Sequence, residues 1–235
     1  MPRKLRLLII EDEAAIRTGL VDVFVYHGYD VDSSGHGEEG LQKALTGNHD
    51  LVLLDVMLPG INGFDICNRI REQDRGQAII MLTAKTNDED IIEGLSLGAD
   101  DYVAKPFSVA QLVLRVQAVL RRTQNGLPQN QIIILGGALS IDCQNLAGQR
   151  AAETIAFTRR EIEILQYLES HAQRPVPRDE LLSKVWGYAN PLDIETRTVD
   201  IHIAKLRRKI ELDHTEPQFL VTVRGAGYRL VGLPP

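Results

Sequence analysis

The stretch LVLLDVMLPGINGFD, residues 51–65, begins with a continuous apolar run that ends at an acidic residue, Asp55. A short run that is apolar at every position is typical of a strand buried on both faces, as in a parallel sheet covered by helices. The stretch therefore predicts a buried strand that carries a carboxylate at its carboxyl end.

Four further strand-like runs occur in the first half of the chain, at residues 5–10, 29–33, 78–82 and 101–104. Segments of helical length separate them, and the amphipathic segment SVAQLVLRVQAVLRR (108–122) closes the series. Strands that alternate with helices indicate a parallel sheet with helices on both faces. We predict an α/β, doubly wound, five-stranded sheet.

The chain of 235 residues is longer than one small core needs, and its middle contains a polar stretch with Gly and Pro, RTQNGLPQNQ. Such a composition is typical of a linker. We therefore predict a first domain of residues 1–121, a linker of residues 122–131 and a second domain of residues 132–235.

The second domain begins with two short strands and continues with three helices and a hairpin. Thr158, followed by Glu161 three residues later, has the pattern of a helix capping box. Further helices are expected at 177–186 and 194–210, before a hairpin around RGAG. This order of elements predicts an α+β domain.

Polar residues follow four of the predicted strands of the first domain, where the carboxyl ends of parallel strands form ligand sites. They are Glu11, Asp12, Asp55, Thr83 and Lys105. Three neighbouring carboxylates repel one another, and Mg²⁺ prefers such hard oxygen ligands. A carboxylate can then attack a phosphoryl group, with the lysine and hydroxyl sharing its charge. The alternative interpretation is a surface acidic cluster with Lys105 as its salt-bridge partner.

The first half resembles a response-regulator receiver domain of the flavodoxin-like fold, in the stretches IIEDE, LVLLDVMLPGINGFD, MLTAK and GADDYVAKPF. The resemblance implies Asp55 as the phosphoacceptor and Mg²⁺ as the cofactor. The metal would be bound by Asp12, by Glu11 through water, by Asp55 and by the Met57 backbone carbonyl. Thr83 and Lys105 would contact the phosphoryl group, and Tyr102 would reorient with Thr83. A cis Lys105–Pro106 bond is also implied.

A basic cluster lies in the second domain although residues 123–235 carry no net charge and residues 1–122 carry −6. In RTVDIHIAKLRRKI, residues 197–210, Val199, Ile203, Leu206 and Ile210 recur as one apolar stripe. Arg197, Ile201, Ala204, Lys205 and Arg208 are expected opposite this stripe, with His202 and Arg207 beside it. The pattern favours a helix that meets nucleic acid, although a solvated charged face is the alternative.

The second half resembles the winged helix-turn-helix domain of OmpR/PhoB-type regulators, in LLSKVWG, RTVDIHIAKLRRKI and VTVRGAGYRL. The resemblance implies that Lys205 reads a base edge in promoter DNA, with Ile201 beside it and Arg208 on the same face. Phosphate contacts would come from Arg197, Thr198, His202, Arg207 and Tyr228, and Arg224 on the wing would enter the minor groove. Trp186 is expected in the core, and the loop 187–195 matches a segment that touches RNA polymerase.

The same family implies a sensor histidine kinase as phosphodonor and a homodimer on phosphorylation, through the last two helices and last strand of the receiver. Asp101 and Arg115 match one cross-subunit ion pair. Ile91 and Gln111 replace a base and an acid that usually form another, so we expect a more apolar interface.

Two other functions stay open from the sequence. An aspartyl-phosphate phosphatase or phosphotransferase typically carries a second acid two residues after its nucleophile, where this chain has Met57. A regulator that works without phosphate would not need the complete acidic set. No secretion signal or membrane span is expected, and Cys67 and Cys143 have no metal-ligand spacing, so we predict a cytoplasmic protein. The resemblance implies a binding protein rather than a turnover enzyme.

Overall fold

The computed structural model describes residues 3–84, 97–125, 131–188 and 197–233, with the side chains of residues 122–125 and 197 outside that description. The chain divides into two compact units, Met1–Asn125 and Gly126–Pro235. No helix within the described ranges is both long and apolar enough to cross a membrane.

The first unit is the predicted five-stranded parallel sheet. Its strands are β1 (Arg6–Ile10), β2 (Asp30–Ser34), β3 (Leu51–Asp55), β4 (Ala78–Thr83) and β5 (Asp101–Ala104), in the order β2-β1-β3-β4-β5. Its described helices are α1 (Ala14–Tyr26), α2 (Gly37–Ala44), α3 (Gly63–Gln73) and α4 (Val109–Asn125). The predicted α/β fold is confirmed.

Alternate residues of the strands face opposite layers of helices. Leu7 and Ile9 lie in a core cluster with Phe24 of α1 and Val116 of α4. Ile10 faces the other layer, where a Cβ added to Gly40 of α2 would lie 2.6 Å from its side chain. Burial on both faces explains why these strands are apolar at nearly every position.

The strand order places the carboxyl ends of β1 and β3 side by side. Ile10 pairs with Leu54 at the end of this register, so the residues that follow β1 lie next to Asp55. The chain winds outward in opposite directions from this pair of strands, which is where ligands bind in doubly wound sheets.

The helix α4 is longer than predicted. It continues through Asn125, four residues into the stretch that we assigned to the linker, because the first helix-breaking residues are Gly126 and Pro128. Residues 126–130 of the predicted linker lie outside the described residues.

The described residues of the second unit form a four-stranded antiparallel sheet, three helices and a hairpin. The sheet contains β6 (Ile132–Leu135), β7 (Leu139–Asp142), β8 (Ala147–Arg150) and β9 (Glu153–Ala156). After it come α5 (Arg159–Ser170), α6 (Arg178–Leu181, continued by a π-helical turn Leu182–Trp186), α7 (Arg197–Ile210), β10 (Leu220–Val223) and β11 (Gly227–Leu230). The sequence did not predict β8 and β9, because each buries one residue, Gly148 or Ile155, and has no apolar alternation.

The core of this unit confirms the predicted helix patterns. The four apolar stripe residues of α7 are buried together with Trp186, as expected. Thr158 and Glu161 form the predicted capping box at the start of α5. Cys67 and Cys143 are buried thiols in their respective units, and neither forms a disulfide.

His202 of α7 also belongs to this core. It is 2% exposed, and its ring packs edge-on against Trp186 with 5.2 Å between the centroids. Its Nδ1 lies 2.8 Å from the Thr198 carbonyl oxygen. Burial lowers the pKa of His202 to about 4, so the ring is neutral at pH 7.

We predict that His202 makes the second unit less stable in mild acid. The unfolded chain binds a proton at this residue near its ordinary pKa of about 6.5 and the folded chain only near 4, so unfolding takes up a proton between these values. The free energy of unfolding should therefore fall by about 2 kcal/mol between pH 7 and pH 5 through this residue alone. His202→Phe should remove that part of the slope, measured by denaturant unfolding followed through the fluorescence of the single tryptophan.

His214→Gln is the matched control, because His214 is exposed and should leave the slope unchanged. Identical slopes for wild type and His202→Phe would contradict the prediction.

Candidate functional site

Three carboxylates meet at the carboxyl edge of the first sheet. One oxygen from each of Glu11, Asp12 and Asp55 lies within 4.8 Å of the others. Glu11 and Asp55 are buried, whereas Asp12 is exposed to solvent. The site therefore has a buried floor and one open side.

Lys105 binds both buried carboxylates. Its Nζ lies 2.8 Å from Asp55 Oδ2 and 2.9 Å from Glu11 Oε1. Its backbone N–H donates to the carbonyl of Thr83, 2.6 Å away, which ties the end of β5 to the end of β4. The structure thus brings together the predicted carboxylates, the lysine and the buried Thr83.

The electrostatics of the site leave negative charge in excess. Burial and the nearby charge of Asp55 raise the pKa of Glu11 to about 7, against the opposing effect of Lys105. Burial opposes the charge of Lys105 as well, but its bonds to Asp55 and Glu11 outweigh that effect and raise its pKa. Among the described residues, Lys105 is the cation that contacts the two buried carboxylates, and a hard divalent cation fits the remaining oxygen donors.

The backbone around Asp55 is held closely. The Met57 N–H donates to Asp55 Oδ1 over 3.0 Å, so the backbone of Met57 borders the site. A Cβ on Gly63 would lie 2.2 Å from the Asp55 carbonyl oxygen. Only glycine lets α3 begin so close to the end of β3.

Arg17 of α1 is a supporting residue that sequence reasoning missed. Its Nη1 donates to the backbone carbonyls of Glu11 at 2.6 Å and of Asp12 at 3.0 Å, and so fixes the loop that presents both acids. A single arginine in a helix carries no motif, so only the fold reveals this contact.

The neighbourhood of Lys105 has two further features. The Lys105–Pro106 peptide is cis, as the resemblance implied. A groove of about 600 Å³ beside it is lined by α1 residues such as Ile16 and Val23, together with Phe107 and Val109. Tyr102 is largely buried on β5, in register with Met81.

In the second unit, the residues predicted to contact DNA differ in exposure. Arg208 and Arg224 are exposed, whereas Ile201, Lys205 and Arg207 are half-buried. Thr198, His202 and Tyr228 are buried, and the side chain of Arg197 lies outside the described residues. Exposed positive charge is thus found on α7 and on the turn of the hairpin.

The placement of Lys205 differs from the helical-wheel expectation. Its side chain is 12% exposed, and its Nζ lies 3.2 Å from Glu161 Oε1 of α5. The wheel treats each side chain as a fixed direction, but a lysine can bend along the helix surface to reach an acid. His202 and Tyr228 are also buried rather than exposed, because each bonds within the unit.

Asp200, the single acid of the basic helix, joins three elements. Its Oδ1 accepts from the Tyr228 hydroxyl at 2.6 Å and from Arg178 Nε at 2.7 Å. Arg178 Nη2 also donates to that hydroxyl at 2.9 Å. These bonds fasten the hairpin and α6 to α7, and they are contacts that the sequence did not predict.

Arg207 makes a second connection between α7 and the hairpin. Its Nε donates to the Leu220 carbonyl at 2.8 Å and its Nη2 to Thr222 Oγ1 at 2.7 Å. The guanidinium also lies 5.8 Å from the centre of the Tyr228 ring. The hairpin therefore has a fixed orientation relative to the basic helix.

The predicted dimer residues lie on β5 and α4. Arg115 Nη1 donates to Asp101 Oδ2 over 2.7 Å within the same chain, whereas we expected these residues to pair between subunits. Gln111 is exposed, and Leu114 beside it is 59% exposed. Ile91 lies outside the described residues.

Both halves match models of known families. Residues 7–117 match the response regulator receiver domain, and residues 152–230 match the family described as transcriptional regulatory protein, C terminal.

Curated relatives match over nearly the whole chain. The DNA-binding response regulator MtrA of Mycolicibacterium smegmatis is 42% identical, over 95% of this chain and 96% of its own. The alkaline phosphatase synthesis transcriptional regulatory protein PhoP of Bacillus subtilis is 41% identical, over 96% of each chain.

Solved structures agree with this result. The structure of a RitR mutant superposes with a TM-score of 0.74 at 30% identity, over 97% of this chain and 99% of that one. The response regulator DrrB of Thermotoga maritima, described as an OmpR/PhoB homologue, gives 0.52 at 30% identity, over 98% and 100%. The chain belongs to the OmpR/PhoB family of two-component, DNA-binding response regulators.

Proposed function

We propose that Asp55 accepts a phosphoryl group from a sensor histidine kinase and that this change controls binding of the second unit to promoter DNA. The observation that carries the proposal is the meeting of Asp55, Glu11, Asp12 and Lys105 at one sheet edge, in a chain that also carries a basic helix with Arg208 exposed. The protein acts as a phosphorylated switch rather than as a turnover enzyme, and its DNA partner implies a cytoplasmic location.

In the proposed reaction an oxygen of the Asp55 carboxylate attacks the phosphorus, and the bond to the donor breaks. Glu11, Asp12, Asp55 and the Met57 carbonyl would hold Mg²⁺ directly or through water, which would neutralise charge on the transferred oxygens. Lys105 already contacts Asp55 Oδ2, so its ammonium needs only a small shift to bind a phosphoryl oxygen. Thr83 would bind another, and Tyr102 would follow its movement.

An enzyme with an aspartate nucleophile is the weaker candidate. The residue two positions after Asp55 is Met57, whose side chain is 54% exposed and has no acidic proton to give to a leaving group. The residues in place suit formation of a phosphoaspartate better than rapid turnover of one.

We predict that acetyl phosphate with Mg²⁺ adds one phosphoryl group to Asp55. The product should be stable to acid and labile to base and hydroxylamine, because it is an acyl phosphate. Asp55→Asn should abolish the mass increase, and Asp12→Ala should greatly reduce it through loss of a metal ligand. Intact mass spectrometry measures both effects.

Asp22→Asn is the control, since Asp22 is an exposed acid of α1. Undiminished phosphorylation of Asp55→Asn would refute the assignment of the phosphoacceptor.

We further propose that phosphorylation produces a symmetric homodimer through the face of α4 that carries Gln111 and Leu114, with Ile91 as a further member. Leu114 is exposed there beside an uncharged polar residue, and Asp101 and Arg115 already neutralise each other within the chain. Apolar contact would therefore contribute more to this interface than ion pairs do.

We expect Leu114→Asp to weaken the dimer formed with beryllofluoride by roughly tenfold or more, because a charge would be buried in the interface. Dimerisation of the wild type should change little with salt, since apolar contacts are not screened. Sedimentation at low and high salt tests both statements.

Val25→Asp on α1 makes the same change at a position 54% exposed and should leave the dimer intact. Steep dissociation of the wild type as salt rises would overturn this picture of the interface.

The second unit is proposed to place α7 in the major groove, with Arg224 of the hairpin turn reaching the minor groove. Among the predicted DNA contacts whose side chains are described, the exposed positive charges are those of Arg208 on α7 and Arg224 on the hairpin turn. Arg197 is the first residue of α7. Four further residues are proposed to contact phosphates, and in this structure they also make hydrogen bonds within the unit: Thr198, His202, Arg207 and Tyr228. RNA polymerase is a proposed partner through the loop 187–195, of which residues 189–195 lie outside the described residues.

We predict that Arg208→Ala weakens binding to all duplexes alike and lowers the slope of log affinity against log salt by roughly one, as expected for one lost phosphate contact. Fluorescence anisotropy over a salt series on a selected and a scrambled duplex measures this. Arg69→Ala, at an exposed position of the first unit, makes the same charge change and should have little effect. An unchanged salt slope in Arg208→Ala would exclude a phosphate contact by this residue.

A further inference from the structure

Glu161 is a fully buried acid that joins the start of α5 to two lysines of α7. Its Oε2 accepts from the Thr158 backbone N–H at 2.7 Å and from Lys209 Nζ at 2.6 Å. Its Oε1 lies 3.2 Å from Lys205 Nζ. One carboxylate thus serves both as a helix cap and as the partner of two cations.

The cap alone does not require this arrangement. A capping box needs one acceptor oxygen at this position, and Oε2 supplies it. Oε1 makes an ion pair with Lys205 that does not have the geometry of a hydrogen bond. The cap therefore does not explain the contact of Oε1 with Lys205.

The two lysines are held unequally. Lys209 Nζ has a second acceptor, the Ala156 carbonyl at 2.8 Å, so it stays anchored without Glu161. Lys205 Nζ is held instead by its ion pair with Glu161, over 3.2 Å. Lys205 is therefore the cation that can leave.

Glu161 remains ionised in this position. Burial opposes its charge, but the charges of Lys205 and Lys209 and the bonds from Lys209 and Thr158 hold its pKa below the ordinary value. The carboxylate therefore competes for Lys205 with any other anion or acceptor that approaches α7.

We propose that Glu161 is a positioning residue for DNA recognition, which holds Lys205 away from the phosphates until a base-edge acceptor takes its place. The inference rests on the proposed DNA-binding function and adds to it an internal competitor for Lys205. On a matching site the lysine exchanges one acceptor for another. On other sequences it stays on Glu161, so non-specific binding does not gain this charge.

The test is Glu161→Gln in the full chain. The glutamine carbonyl can still accept from the Thr158 N–H, but it has no charge to hold Lys205. Affinity for a scrambled duplex should rise roughly three- to tenfold at low salt, and its salt slope should steepen by about one, because one more cation reaches phosphate. Affinity for a duplex selected with the wild type should rise at least as much, because only on that duplex does the wild type give up the ion pair with Glu161.

Glu169→Gln removes the same charge from the other end of α5 and should leave both affinities within roughly twofold of wild type. The gain on scrambled DNA should disappear when Glu161→Gln is combined with Lys205→Met and persist when it is combined with Lys209→Met. Such coupling to one lysine separates positioning from a general change in charge or folding.

An equal loss of affinity on both duplexes, or the same gain with and without Lys205, would overturn the proposal. Failure of the wild type to bind any selected duplex would instead refute the proposed function.

The wild type provides a second test if Glu161→Gln does not fold. In NMR spectra of the ¹⁵N-labelled lysine ammonium groups, the Lys205 signal should shift with the selected duplex and stay near its free position with the scrambled one. The Lys209 signal should stay in place in both. An equal shift of Lys205 on both duplexes would contradict the proposed exchange.

Discussion

The buried contact between Lys105 and the pair Asp55 and Glu11 is the interaction on which the first unit depends. Two carboxylates taken out of water at one sheet edge repel each other, and the free energy of burying them is unfavourable unless a cation is close. Lys105 supplies that cation because β5 ends next to β4 and its backbone bonds to Thr83. The strand order therefore fixes the electrostatics of the acidic cluster at which we propose that a metal ion and a phosphoryl group bind.

In the second unit the charges that need a partner of opposite sign are basic. A helix with five basic residues must pack one face against the core while its charges avoid one another. Two acids take part in this packing. Glu161 of α5 binds two lysines of α7, and Asp200, which belongs to α7, binds Arg178 and Tyr228 of neighbouring elements. These acids also connect the helix to its neighbours, so the charge pattern that suits DNA is part of what sets the geometry of the domain.

The sequence predicts the first unit well and the second less completely. The buried runs of β1, β3 and β4 are apolar at nearly every position, and the strand order explains why the polar residues at their carboxyl ends meet. By contrast β8 and β9 are short and mostly polar, so their pairing depends on turns and long-range contacts that carry no periodic signal. The contacts of Arg17 and Arg178, and the ion pairs of Glu161 with the two lysines, were not predicted either, because the partner of a long charged side chain depends on how distant elements pack.

The comparison of Lys105 with Lys205 shows what the two units share. Each lysine is mostly buried at the edge of its site and is ion-paired with an acid of its own chain. In each proposal an incoming group replaces a carboxylate as the partner of the ammonium: a phosphoryl oxygen at Lys105 and a base edge at Lys205. Such an exchange loses one ion pair as it gains another acceptor, so the net free energy is small and depends on how well the new acceptor is placed. A poorly placed acceptor therefore leaves the ammonium on its carboxylate, and only a well-placed one takes it.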